Sequence, residues 1–189
     1  MTIFPNEETE SRNRLLGKIA IVAGAGAIGD GWGNGKAAAY VYGKEGAKVL
    51  CVDNRLKAAE ETAELIQNLG GVALAWEADM TDENAVADMV EGCTKEWGAI
   101  DILHNNIGGQ GIGRRLDTIT LEDWNETFSR NVTTAMLTTR AIVPIMEKNN
   151  SGGAIVNISS IAGIRHLNVP TEVYYMPKLS LINIRRCRR

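Results

Sequence analysis

The sequence predicts an α/β chain built on a doubly wound parallel sheet, and three observations carry that prediction. Short apolar runs alternate with segments of helical period along most of the 189 residues, the arrangement that right-handed βαβ units produce. A glycine-dense stretch, 24–35, follows the first run and precedes a helical segment. The second run, 47–53, ends on a carboxylate, Asp53. No repeat or internal linker interrupts the pattern, so one domain is expected over 15–189, preceded by a flexible arm at 1–14.

The run at 18–22 ends in glycines, the profile of a strand buried on both faces. Alanine-rich 36–45 reads as a helix that stops at Gly46. The second strand leads to a helix at 56–69, closed by Gly70 and Gly71. A third strand at 72–76 and a helix at 83–97 follow, then a fourth strand at 100–104 that runs into Asn105-Asn106-Ile107-Gly108. Four glycines between 108 and 113 predict a mobile loop. Thr120 and Asp123 have capping-box spacing and open one long helix towards Met146. A fifth strand spans 154–158, and the last helix starts near Tyr174 with Pro177 in its first turn.

Composition narrows the function classes. A chain that is 44% hydrophobic and 23% charged can bury a core. Its net charge of −3 argues against a sequence-independent grip on nucleic acid. The arginines at 185, 186, 188 and 189 read as a solvated tail. No apolar run is long enough for a signal peptide or a membrane span. Cys51, Cys93 and Cys187 lack metal or disulfide spacing, which suits reduced thiols in a cytoplasmic protein. Cys51 lies inside the second strand and reads as core. His104 and His166 have no ligand-spaced neighbours, so no metal is expected.

Glycines that follow a strand and open a helix let backbone N–H groups and the helix N-terminus approach a pyrophosphate. Gly24, Gly33 and Gly35 are the candidates for that cradle, with Trp32 packing the loop between them. Asp53, about 20 residues on, is placed to accept from the ribose hydroxyls of an adenosine, and its charge would repel a 2′-phosphate. NAD is therefore expected over NADP, with Arg55 able to soften the preference.

Tyr174 and Lys178 lie four residues apart and share a helix face. An ammonium about 4 Å from a phenol stabilises the phenolate by about 4 kcal/mol at an effective dielectric of about 20. That is enough to make the tyrosine a candidate to exchange a proton with a substrate hydroxyl. Tyr175 lacks this spacing and reads as a packing or substrate-facing residue. Trp124, Phe128, Asn131, Ala135, Thr138 and Ile142 follow a 4-3-4-3-4 spacing that marks one helix face. An asparagine on that face must find buried partners.

In order and spacing these motifs resemble the short-chain dehydrogenase/reductase family over roughly residues 15–184. The resemblance implies a Rossmann fold and hydride transfer between NAD(H) and a small-molecule alcohol or ketone. It also implies a homo-oligomeric full-length protein. In its terms Tyr174 is the acid/base, Lys178 also holds the nicotinamide ribose, and Ser160 donates to the substrate oxygen. Asn131 would anchor a water that relays protons to Lys178. Asp79 and Met80 match the adenine-contacting position, although Asp79 can equally serve as a helix cap beside Thr81 and Asp82. Asn106 belongs to a turn similar to the family's Asn-Asn-Ala-Gly, read as structural first and cofactor-contacting second.

Two departures qualify the resemblance. Ala23 replaces the family's threonine, and eight residues rather than three separate Gly24 from Gly33, a loop five residues longer. The apolar pattern Leu179, Leu181, Ile182, Ile184 then gives way to Arg-Arg-Cys-Arg-Arg. The family's sixth and seventh strands, roughly 60 residues, do not follow. A member truncated at its carboxyl end, lacking its last strands, is expected. The alternative is a non-catalytic dinucleotide-binding fragment without a complete substrate pocket.

Overall fold

The structure is a computed structural model that describes residues 13–109, 115, 117–149, 152–167 and 172–183. Most of the expected amino-terminal arm, most of the 108–113 loop and the arginine tail lie outside the described residues. Five strands, β1 (Ile19–Ala23), β2 (Lys48–Asp53), β3 (Val72–Glu77), β4 (Ile102–Asn105) and β5 (Ala154–Asn157), make one sheet. Their order is β3-β2-β1-β4-β5 and every pairing is parallel. The order reverses between β1 and β4, the switch point where a doubly wound sheet opens a ligand cleft.

The helices are α1 (Asn34–Lys44), α2 (Leu56–Gln67), α3 (Glu83–Trp97), α4 (Leu121–Phe128), α5 (Thr134–Lys148) and α6 (Glu172–Asn183). Alternation along β1 sends Ile19, Ile21 and Ala23 into one core and Ala20 and Val22 into the other. The first core takes Val86 and Met89 of α3 with Ile142 and Met146 of α5. The second takes Ala39 of α1 and Ala59, Ala63 and Ile66 of α2. Both faces of the strand are therefore buried, which is why it reads as one continuous apolar run. Cys51 is fully buried in the second core, and burial pushes its thiol up to about 12.

Local signals place the helix ends. Gly46 follows α1 with φ +91°, and Gly98 ends α3 with φ +83°. Asp82 caps α3 by accepting from the Asn84 N–H at 2.8 Å. At α4 both capping-box bonds form: the Asp123 N–H donates to Thr120 Oγ1 at 3.1 Å, and the Thr120 N–H donates to Asp123 Oδ2 at 3.0 Å.

Two expectations are corrected. The single helix running to Met146 is interrupted by a π turn, Ser129–Thr133, between α4 and α5. Its extra residue shifts the buried face by one position. Upstream, Asp123 and Thr127 are buried while Trp124 and Phe128 are half-buried and stacked at 4.7 Å. Downstream, Asn131, Ala135, Thr138 and Ile142 are buried as expected. Pro177 is the sixth residue of α6 and not part of its first turn. Lacking an N–H, it offers no α-helical bond to the Val173 carbonyl.

Candidate functional site

A cleft of about 1200 Å³ opens at the carboxyl ends of β1, β2 and β4. Gly24 and Gly26 form one side, Asp53 with Asp79 and Met80 another, and Asn106 to Gly108 lie between. The amino-terminal end of α4 and the π turn, through Leu121 and Arg130, close the far wall.

The glycine loop is held to β2 through Asp53. One carboxylate oxygen, Oδ2, accepts from the Gly26 N–H at 3.0 Å. The other accepts from the Arg55 N–H at 3.2 Å and lies 3.7 Å from Arg55 Nε. Arg55 Nη2 also donates to the Ala27 carbonyl at 2.5 Å, so one guanidinium spans carboxylate and loop. A Cβ on Gly26 would lie 2.6 Å from Ala58 Cβ and 2.7 Å from Asp53 Oδ2. Gly26 is therefore a required glycine that the spacing argument did not single out.

The three expected glycines divide in two. Gly24 lines the cleft, with φ +80° that favours glycine. Gly33 and Gly35 do not line it and act behind it. A Cβ on Gly35 would fall on the Gly24 carbonyl oxygen, to which Asn106 Nδ2 donates at 3.0 Å. Gly33 stands at the N-cap of α1 and gives it no side-chain cap. A Cβ there would lie 3.2 Å from the Gly26 carbonyl, so the uncapped start of α1 packs against the lining loop. Trp32 meets Tyr40 edge-on at 5.2 Å, which seats the loop on α1.

Elsewhere in the cleft lining, Asp79 Oδ1 accepts from both the N–H and the hydroxyl of Thr81, at 2.8 and 2.7 Å. These bonds, the hydroxyl first, hold its carboxyl below the ordinary value. The cap of α3 is Asp82 and not Asp79. Met80 borders the cleft but its side chain is buried in the core.

A second group of polar atoms gathers beside Gly108. Within the π turn, Asn131 Nδ2 donates to the Thr127 carbonyl at 2.9 Å, the oxygen its own backbone N–H would take in an α-helix. It also donates to the Gly109 carbonyl at 3.1 Å, and its Oδ1 accepts from the Gly109 N–H at 3.2 Å. The buried asparagine thus has the partners its position demands. Lys178 Nζ donates to the Ile158 carbonyl at 3.0 Å and sits 5.6 Å from the centre of the Tyr174 ring. Burial lowers the Lys178 ammonium from 10.5 to about 8.

Gly108 joins the two groups. It lines the cleft, and a Cβ on it would lie 2.7 Å from both Asn131 Oδ1 and Lys178 Nζ. Nothing in the Asn-Asn-Ile-Gly turn alone announces this, because both neighbours come from distant segments. Ser160 follows Ile158 by two residues, and its Oγ accepts from the Ala162 N–H at 3.1 Å, capping a 3-10 turn at Ile161–Gly163. Its hydroxyl hydrogen remains available to donate. Tyr175 accepts from the Leu167 N–H at 3.1 Å and meets His166 edge-on at 5.4 Å.

Residues 18–183 match the short chain dehydrogenase family model, and the chain belongs to that family. It is 34% identical over 160 residues to glucose 1-dehydrogenase 2 of Bacillus subtilis, covering 84% of this chain and 58% of that protein. It is 36% identical over 149 residues to 7alpha-hydroxysteroid dehydrogenase of Escherichia coli, covering 79% of this chain and 55% of that protein. Among solved structures, 7 alpha-hydroxysteroid dehydrogenase complexed with NADH and 7-oxo glycochenodeoxycholic acid matches with a TM-score of 0.82 and 33% identity, covering 91% of this chain and 64% of that one. The chain therefore spans a little over half the length of these curated relatives. Among the described residues no helix is long and apolar enough to cross a membrane.

Proposed function

We propose that this chain binds NAD(H) and exchanges a proton with an alcohol or ketone, as part of a dehydrogenase of its family. The observation that carries the reading is Gly108, where the cleft meets the side chains of Asn131 and Lys178 with Tyr174 close by. The cleft suits a dinucleotide on its own terms. Gly24 and Gly26 expose backbone along one wall, the uncapped start of α1 packs behind them, and Asp53 stands at the adjacent strand end. In this reading Asp53 takes the adenosine ribose and Asp79 and Met80 flank the adenine. Asn106 fixes the turn beneath.

When bound, the nicotinamide gives or accepts the hydride. Tyr174 holds the proton exchanged with the substrate oxygen. Lys178, with its value at about 8, is mostly protonated at pH 7 and puts a cation beside the Tyr174 ring. Ser160 donates its remaining hydrogen to the substrate oxygen as charge develops there. Asn131, whose Oδ1 shares the neighbourhood of Gly108 with Lys178 Nζ, would anchor a relay water.

The test is NADH titration followed by turnover with a panel of secondary alcohols and ketones. Tyr174→Phe should cut turnover by at least about 10²-fold and leave NADH affinity within about twofold. Full activity in that variant would transfer the acid/base role, with Tyr175 next in line. A second reading, dinucleotide binding without turnover, draws on one observation: the lining of the cleft includes neither Ser160 nor Tyr174. NADH binding with no turnover across the panel would select it.

A further inference from the structure

Lys178 is held at both ends by neighbouring residues of one segment. Its Nζ donates to the Ile158 carbonyl at 3.0 Å, while its own carbonyl accepts from Ser159 Oγ at 2.6 Å. The side chain and the backbone of the lysine therefore lean on two consecutive residues that lead directly to Ser160. A third contact acts at the same carbonyl. A Cβ on Gly163 would lie 2.9 Å from both the carbonyl carbon and the oxygen of Lys178, and 3.1 Å from Leu179 N. The backbone of α6 rests directly on the 3-10 turn here. Pro177, just before the lysine, leaves the helix short of one internal bond.

We propose that Ser159 and Gly163 are positioning residues for Lys178: the Ser159 hydroxyl and the bare face of Gly163 seat the lysine's backbone, and so set its ammonium against Ile158 and the Tyr174 ring. This rests on the reading of Tyr174 and Lys178 given above for its functional meaning, but its geometry does not depend on turnover. Ser160 would touch substrate. Ser159 would act one step removed, by tying the strand end that presents Ser160 to the helix that presents Tyr174 and Lys178.

The test is an NMR titration of the lysine side chains in the chain as it stands, without cofactor or substrate. Burial holds Lys178 at about 8, so its signal is separable from lysines that titrate near 10.5. In Ser159→Ala the seat loosens, water reaches the ammonium, and the Lys178 midpoint should climb by a unit or so towards the ordinary value, about the effect of one lost hydrogen bond. Ser159→Thr keeps the hydroxyl and should restore the midpoint near 8. Gly163→Ala drives a methyl group against the Lys178 carbonyl and should raise the midpoint with the hydroxyl intact; it also serves if Ser159→Ala does not fold. An unmoved midpoint in Ser159→Ala or in Gly163→Ala overturns the proposal. So does an equal shift in Ser159→Thr and Ser159→Ala, because the hydroxyl would then be irrelevant. Failure here leaves the proton-exchange reading standing, and loss of turnover in the parent chain leaves this titration unaffected.

Discussion

Around Gly24 the structure is shaped by backbone approaching backbone. The start of α1 comes so close to the end of β1 that Gly35 has no room for a side chain, and Gly26 is pressed between Ala58 and Asp53. Around Lys178 the same density is reached with side chains. An asparagine replaces a helical bond, a lysine reaches a strand-end carbonyl, and a serine holds the helix by its backbone. The first region tolerates no added atoms but needs few particular functional groups. The second needs particular functional groups and tolerates little displacement. One region is thus selected by shape and the other by chemistry.

That contrast breaks most severely at Gly35. Gly35→Ala places a methyl group on the Gly24 carbonyl, a backbone atom that cannot turn aside. A loss of about 3 kcal/mol of stability is expected, with NADH binding abolished; denaturant unfolding and fluorescence titration measure both. Unchanged stability would show that the two backbones can part freely.

The next effect lies in the side-chain region and depends on pH. Lys178 is held at about 8 when folded against 10.5 in an unfolded chain. Below pH 8 it is charged in both states, and the folded state carries the cost of burying that charge. Above 10.5 it is neutral in both, and the cost is gone. Stability should therefore rise by about 2–3 kcal/mol between pH 8 and 10.5. Lys178→Met should remove that rise, and unfolding curves at pH 7 and pH 10.5 compare the two chains. A parallel rise in Lys178→Met would assign it to other groups.

Asp53 tests whether a side chain adds selectivity to the backbone region. NADH should bind more tightly than NADPH, and Asp53→Ala should narrow that gap about tenfold as the repulsion of a 2′-phosphate disappears. The exposed Arg55 guanidinium already lies against the carboxylate and offsets part of its charge, which limits the expected gap. Tighter NADPH binding by the parent chain would reverse the assignment of the cofactor.

The smallest effect is expected at Thr120, which caps the helix that forms the far wall of the cleft. Thr120→Ala loses one capping-box bond, and a cost of about 1 kcal/mol in thermal or denaturant unfolding should follow. A change below the precision of the measurement would mean that α4 is held by its packing alone.

The sheet was legible because each strand carries a short apolar run and glycines or a capping box mark several of the helix ends. Asp53, Gly24 and the capping box could be named from residues close to them in the chain. The π turn could not. The 4-3-4-3-4 stripe suits an uninterrupted helix, and the bulge holds Asn131 where it bonds Gly109, twenty-two residues away. Gly26 and Gly108 escaped notice for the same reason. What a side chain would strike there belongs to Ala58, Asn131 and Lys178, and local spacing carries no trace of them. Asp79 shows the converse: two local readings were open, and the structure gives the cap to Asp82.

The π turn also works as a rotational setting. Removing one residue from Ser129–Thr133 would return the segment to α-helix and turn everything upstream by about 100° about the helix axis. Asp123 and Thr127 would leave the interior, and Leu121 would swing out of the cleft wall it now forms. Downstream, α5 would stay where Thr138 holds it, bonded to Asn105 Oδ1 at 2.8 Å. Point substitutions along α4 can change the wall's chemistry, but a single-residue deletion in the bulge would change which face of the helix is the wall.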